Sequence, residues 1–374
     1  MRRRQILIGG AALAAAGAGA EALRMGSMSN YDAAARASRA PLAAGAPPVE
    51  WVRYAALAAN GHNTQPWKFS IGDGRIDILP DLSRRTPVVD PDDHHLFASL
   101  GCAAENLAIA AATMGRPGEV AFDAASGAVS FVHAAGKPAP SPLFESIPRR
   151  QSARAAYDGQ PLSAAVMKQL ARAAAVPGVE VVLLTERAAI DRVRDLIVAG
   201  NDVQMNDRAF VRELKHWLRF SPRQAAAKGD GLFSAASANP ALPDWAGPIL
   251  FDLFTTAKSE RDKYARHLDS SAGVAVFVAE TADHEHWMRA GRAAQRFALQ
   301  VTALGLSCAF VNQPVEVARF RPELASLVGL PGRRPDLVLR FGKGPTLTWS
   351  PRRPVSAVLA SPAEAWAHGR RRAD

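Results

Sequence analysis

Cysteine is almost absent: Cys102 and Cys308 are the only two in 374 residues, 206 positions apart, each in an apolar context. That excludes a disulfide framework and any Cys-x-x-Cys metal or redox pair, and both read as buried structural residues. Aromatic side chains are few as well, at 7%, and no zinc-finger or RNA-binding signature accompanies the 45 lysines and arginines. Those residues give a formal charge of +10 but are spread along the whole chain, which argues against nucleic acid and for a small anionic ligand. The chain also lacks a Gly-x-Ser-x-Gly elbow, a Walker A loop (Gly342-Lys343-Gly344 has no Ser or Thr) and a Gly-x-Gly-x-x-Gly turn after a strand. Hydrolase and Rossmann readings fall away. His94-His95 and His284-x-His286 have no third and fourth ligand near them in polar spacing, so no metal site is expected. What remains, 48% hydrophobic and 21% charged, must bury a core, and the length allows two domains or one large one.

Residues 1–22, MRRRQILIGGAALAAAGAGAEA, pair a basic start with an apolar run and small residues suited to cleavage. Arg3-Arg4 ahead of Ile6-Leu7 resembles a twin-arginine export signal. The expectation is a periplasmic protein, carried by the twin-arginine (Tat) machinery and cut near residue 22. About 15 apolar residues fall short of the roughly 20 that cross a bilayer, so no stable span is expected after cleavage. Ala-rich residues 23–47 read as a flexible lead-in.

Alternation then marks two hairpins, Trp67–Leu79 around Gly72-Asp-Gly74 and Glu119–His133 around Ser126-Gly127, with a long helix between them from about Asp92 to Met114. Residues 136–148, rich in Pro and Gly, read as a linker. Beyond it come a helix at Ser163–Ala174, strands at Val179–Leu184, Gly273–Ala279 and Asp336–Gly342, and a helix opening at Gly291. The two long helices align without a gap at an offset of 190: Gly101-Cys-Ala-Ala-Glu105 onto Gly291-Arg-Ala-Ala-Gln295, and Met114-Gly115 onto Leu304-Gly305. The chain therefore divides into a first half at 48–135 and a second at 149–374. Residues 200–270 have no counterpart in the first half and read as a lid-like insertion. Trp217, Phe220, Phe233 and Trp245 are available in it to cover an apolar ring.

Two segments concentrate polar chemistry. Asn60-Gly61-His62-Asn63-Thr64-Gln65-Pro66-Trp67 crowds five polar side chains into a turn. It suits either a flat heterocycle needing both donors and acceptors or simply a capped turn with Trp67 in the core. Arg150, Ser152 and Arg154 alternate in an extended stretch and so share a face. That face can grip a phosphate, or the stretch can be a solvated basic linker.

These residues together resemble the FMN-dependent nitroreductase family. The likeness is carried by the Asn-Gly-His-Asn-Thr-Gln-Pro-Trp turn, Arg149-Arg150-x-Ser152-x-Arg154, the Gly291-x-Ala-Ala helix ending Leu304-Gly305-Leu306, and Pro351-Arg352-Arg353-Pro354. It is nearest to the Acg-like branch, in which two such halves share one chain. The resemblance implies an α+β, nitroreductase-like fold duplicated as a pseudo-dimer. Family dimers hold FMN between an arginine segment of one subunit and a Gln-Pro-Trp turn of the other. Here each half keeps one of the two, since Arg36-Ala-Ser-Arg39 lies in low-complexity sequence and Pro177-Gly178 stands where the second turn would be. One complete flavin site is implied. Arg150, Ser152, Arg154 and Arg353 would hold its phosphate; Asn60, His62, Asn63 and Gln65 would meet the ring or ribityl chain. Asn312 and Gln313 would lie near its reactive edge. The implied activity is hydride transfer through flavin N5 from a nicotinamide or other small donor to a nitro, quinone or related acceptor. The alternative is a non-catalytic FMN-binding or storage protein with the lid shut over the flavin.

Overall fold

The computed structural model describes residues 24–364, so the expected export signal at 1–22 lies outside the described residues. Helices α1 (Met28–Ala37) and α2 (Pro48–Ala55) lead into strands β1 (Trp67–Gly72) and β2 (Arg75–Pro80). Helix α3 (His94–Thr113) follows, then β3 (Gly118–Asp123) and β4 (Ala128–His133). The hairpins stand where alternation puts them, and Gly74 at φ 63° supplies the left-handed residue that so short a turn needs. Next come α4 (Ala164–Ala174), β5 (Val179–Leu184) and α5 (Arg187–Asn206). The inserted region holds α6 (Arg208–Trp217), β6 (Leu218–Arg219), α7 (Pro222–Lys228), β7 (Leu232–Phe233), α8 (Gly247–Phe254) and α9 (Ala257–Asp269). The chain then forms β8 (Gly273–Ala279), α10 (His284–Ala303), β9 (Ser307–Phe310), α11 (Gln313–Glu316), α12 (Arg321–Leu327), β10 (Leu337–Gly342) and α13 (Val355–Val358).

Two antiparallel four-stranded sheets result, in the orders β1-β2-β4-β3 and β5-β8-β10-β9. Within each sheet the order is first, second, fourth, third, with the long helix between the second and third strands. Strands β8 and β10 are buried throughout because helices cover both faces of their sheet. One face packs Leu170, Ala174 and Phe297, the other Ile190, Leu268 and Leu324.

Helices α3 and α10 meet between the sheets. A Cβ at Gly101 would fall 1.9 Å from the Met288 carbonyl oxygen, and one at Gly291 would fall 1.9 Å from that of Ala98. The two contacts are reciprocal at the offset of 190 that aligns the helices in sequence. Beside them Glu105 takes Arg296 at 2.6 Å while Gln295 donates to Asn106 at 2.7 Å, and these pairs exchange under the same offset. Helix α3 is long and apolar enough to cross a membrane, yet it lies buried along most of its length in this contact.

Two expected connectors prove to be packed. The lead-in at 23–47 carries α1, whose Tyr31 is 3% exposed against Phe233, because an apolar stripe inside an Ala-rich stretch still finds a core. The linker at 136–148 buries Leu143, Phe144 and Ile147 in the first core. The end of the second half leaves its own sheet: Leu359 bridges Phe69 on the edge of the first sheet, and Ala360 N donates to Phe69 O at 2.8 Å. Alanine at Gly101 or Gly291 should each lower the unfolding free energy by about 3 kcal/mol in urea titration, the upper range for forcing a methyl group into a closed contact.

Candidate functional site

The α3 and α10 contact fixes where the 60–65 turn sits. Gln295 Oε1 accepts from Ala59 N at 3.2 Å, and Asn106 Nδ2 holds Tyr54 O at 3.0 Å, so the end of α2 is tied to the helix pair. The turn itself is bent against its preference: His62, Asn63 and Gln65 have φ of 46°, 55° and 53°. Left-handed backbone at three non-glycine residues persists only where surroundings enforce it, and it marks functional turns. Here the enforcement comes from Asn60, whose Oδ1 accepts Gln65 N at 2.8 Å, and from two distant segments. Asn63 Nδ2 donates to Gly231 O and Pro351 O, both at 3.0 Å, while its Oδ1 accepts from Arg352 at 2.8 Å. Gln65 donates to Gly229 O at 2.8 Å and accepts Arg353 N at 2.9 Å. The Gly229-Asp230-Gly231 turn of the insertion is clasped further where Asp230 pairs with both Arg84 and Arg219.

A cleft with two compartments opens between this turn and residues 150–154, and Asn60, Ser152, Arg154 and Leu232 line both. The smaller, about 470 Å³, is ringed by the guanidinium groups of Arg39, Arg150, Arg154 and Arg352 with no carboxylate among its lining residues. Ala153 N bonds Cys308 O at 2.9 Å on β9, which sets the extended stretch and turns Arg150, Ser152 and Arg154 to one side. Arg150 is 6% exposed, and its Nε and Nη1 have no partner among the described residues. Burial lowers the pKa of Arg150, and of Arg39 to about 10; the neighbouring guanidinium groups push the same way. For Arg352, burial and then Arg39 and Arg150 lower it well below its ordinary value. Like charges desolvated together with donors unspent are a site for an anion.

The larger compartment spans about 1150 Å³, partly open to solvent. Its floor comes from His62, His95, Ser99, Asn312 and Gln313, and its roof from Asn201, Gln204, Met205, Phe210, Leu214, Leu232 and Tyr264 of the insertion and α5. Asn312 spends its Oδ1 on Val338 N at 2.9 Å, whereas Gln313 Oε1 is buried without a partner among the described residues. Burial drives the His62 imidazole down to about 4, against the pull of Glu316.

Eight of the ten residues singled out in the sequence thus share one cleft: Asn60, His62, Asn63, Arg150, Ser152, Arg154, Asn312 and Gln313. Gln65 and Arg353 line neither compartment. Gln65 is fully enclosed by the bonds that pin the insertion and the C-terminal segment, and Arg353 turns away to Gln65 O, Ala357 O and Asp81. The adjacent Arg352, not Arg353, lines the smaller compartment. The aromatic residues expected over the ring are also elsewhere: Phe233 packs on Tyr31, Trp217 lies under Arg84, Phe220 meets Gly247 and Trp245 is 66% exposed. Arg39, His95, Glu316 and Gln204 also line the cleft; the signals for two of them are Arg36-Ala-Ser-Arg39 and the paired histidines His94-His95.

Residues 147–343 match the profile of the Nitroreductase family, and the chain belongs to that family. Over 334 residues it is 29% identical to the Mycobacterium tuberculosis (strain H37Rv) protein named "Putative NAD(P)H nitroreductase Rv3131", covering 85% of this chain and 93% of the relative. Among solved structures, the FMN-bound nitroreductase of Desulfitobacterium hafniense is 15% identical with a TM-score of 0.39, over 60% of this chain and 99% of its own. The FMN-dependent nitroreductase NfnB of Mycobacterium smegmatis in complex with NADPH is 16% identical with a TM-score of 0.39, over 59% and 99%.

His62 stays neutral to a lower pH in the folded chain than in the unfolded one. The stability this provides is complete above about pH 6.5 and drains away as pH falls toward 4. His62→Asn, which tolerates the left-handed backbone, should therefore flatten the fall in melting temperature over that interval. His94 and His267, also held low by burial, keep part of the slope.

Proposed function

We propose that the chain is an FMN-dependent oxidoreductase of nitroreductase type, in which two nitroreductase-like halves are fused as a pseudo-dimer around one flavin. The observation that carries this is the small compartment, where four guanidinium groups gather without an acid and the buried Arg150 keeps donors free, which suits a dianionic phosphate. Arg39, Arg150, Ser152, Arg154 and Arg352 would hold the FMN phosphate. Asn60, His62, Asn312 and Gln313 would face its ring and ribityl chain in the larger compartment. When bound, FMN supplies the hydride-transfer chemistry through N5. The chain's own residues orient it, tune it by hydrogen bonds and keep water from it. Small-molecule donors and acceptors fit the half-open mouth. The name of the M. tuberculosis relative supports a nicotinamide donor, with a nitro, quinone or related acceptor. Residues 1–22, as a twin-arginine signal, would deliver the loaded chain to the periplasm.

One observation favours a second reading, FMN storage without turnover: the insertion is roped to the 60–65 turn at both Gly229 and Gly231. Anaerobic NADPH separates the two, since an oxidoreductase bleaches at the flavin band and a store does not.

Purified protein should carry about one FMN per chain. Arg150→Ala with Arg154→Ala should weaken retention by roughly 100-fold to 10,000-fold, since each charge-assisted bond contributes about 1.5 to 3 kcal/mol. Arg150→Met should do more than weaken retention. By removing a buried charge whose only balance is the ligand, it should raise the melting temperature of the flavin-free chain, and a lower one would count against the anion site.

A further inference from the structure

The larger compartment holds a titratable group that flavin binding leaves unused. His95 is 8% exposed and lines the cavity. Its Nε2 faces Glu316 Oε1 at 3.5 Å, and its Nδ1 is buried with no partner among the described residues. Glu316, from the short helix α11, is fixed in turn by Gln204 of α5, whose Nε2 donates to its Oε2 at 2.6 Å. His95 is also set in place through its backbone: Asp90 accepts His95 N at 2.9 Å and Leu96 N at 3.0 Å, which replaces the missing N-cap of α3. Two more buried polar groups of this compartment have no partner among the described residues, Asn201 Nδ2 at a residue 3% exposed and Gln313 Oε1 at one 7% exposed. His95, Asn201 and Gln313 line one compartment, and each keeps a polar atom without a partner among the described residues, which suits a molecule with oxygen atoms to satisfy.

We propose that His95 is the catalytic proton donor to a quinone, nitro or related oxygen-bearing acceptor held in the larger compartment, with Glu316 as the residue that positions it. This rests on the oxidoreductase function proposed above. A quinone takes two electrons and one proton as hydride from the reduced flavin. Its carbonyl oxygen takes a second proton from His95 Nδ1, giving the hydroquinone and a neutral imidazole that water reprotonates. A nitro group takes the same hydride and proton and loses water to become nitroso.

The electrostatics favour a charged imidazole. Burial disfavours charge on His95, but Glu316 and then Asp90 outweigh it and raise its pKa above the ordinary 6.5. Burial likewise opposes the Glu316 carboxylate, and His95 and Gln204 outweigh it and hold its pKa low. The other groups that bear on the pair are His62 from the turn, His94 on the same helix with its partner Asp336, Arg334, Arg154, and Glu260 and Tyr264 from α9. Burial and, after it, His95 keep His94 neutral, so His95 is the member of the histidine pair able to carry the proton.

The test uses the full, FMN-loaded chain with menadione as the quinone and ferricyanide as an acceptor that takes electrons without a proton. Turnover of menadione relative to ferricyanide should fall on the order of 100-fold in His95→Gln, in the range that a positioned general acid contributes. In the native chain that ratio should decline as pH rises through the His95 pKa. The decline should vanish in His95→Gln and move to lower pH in Glu316→Gln. NMR titration of the His95 ring in flavin-free protein should show the same downward move in Glu316→Gln, independent of turnover, and that variant carries the test if His95→Gln does not fold. An unchanged ratio in His95→Gln, or an unmoved pH limb and ring titration in Glu316→Gln, overturns the proposal. A native chain that takes up no FMN overturns the oxidoreductase function itself, and this inference with it.

Discussion

Close approach of α3 and α10 at Gly101 and Gly291 is the constraint from which the remaining geometry follows. With backbone against backbone at both crossings, side chains such as Glu105, Asn106 and Gln295 reach across and are consumed by partners on the opposite helix. Gln295 also catches the end of α2, so the polar turn is placed by the helix pair rather than by its own hairpin. Residues 150–154 are placed by β9 of the other sheet. The cleft therefore forms where elements anchored to different sheets converge, and neither sheet encloses it alone.

Within the cleft, charge and polarity are segregated. Arginines without acids gather at one end, and at the other a histidine and a carboxylate favour each other's charged forms, beside two amides that each keep one polar atom without a partner among the described residues. The first arrangement is destabilising until an anion arrives. The second is self-balanced, each group favouring the other's charged form.

Much of this was legible in the sequence, for identifiable reasons. Period-two alternation around Asp73-Gly74 and Ser126-Gly127 is local information, so both hairpins could be read directly. Gly101 and Gly291 could be read because glycine inside an apolar helix has few uses besides close packing. Arg150, Ser152 and Arg154 could be read because extended backbone puts alternate residues on one face. What could not be read depends on long-range docking. Strand β9 is only four residues long and acquires its identity from pairing with β10. Tyr31 and Arg39 look like low-complexity sequence until Phe233 and Trp349 arrive from more than 200 residues away. Arg352 and Arg353 are adjacent and chemically alike, and only the bonding of Gln65 to the Arg353 backbone decides which of them faces the cleft. His95 and Glu316 are separated by most of the chain, so no spacing rule could pair them.

The arginine ring draws on residue 39, residues 150–154 and residue 352, and Arg39 itself reaches across to Ser350 O at 3.1 Å. Contacts this far apart along the chain form late in folding, because a long loop must close before they return any energy. An anion seated among them would act as a rivet through three remote stretches of polypeptide. The protein's resistance to unravelling should accordingly rise with the free concentration of whatever it binds, by mass action rather than by any change in its packing.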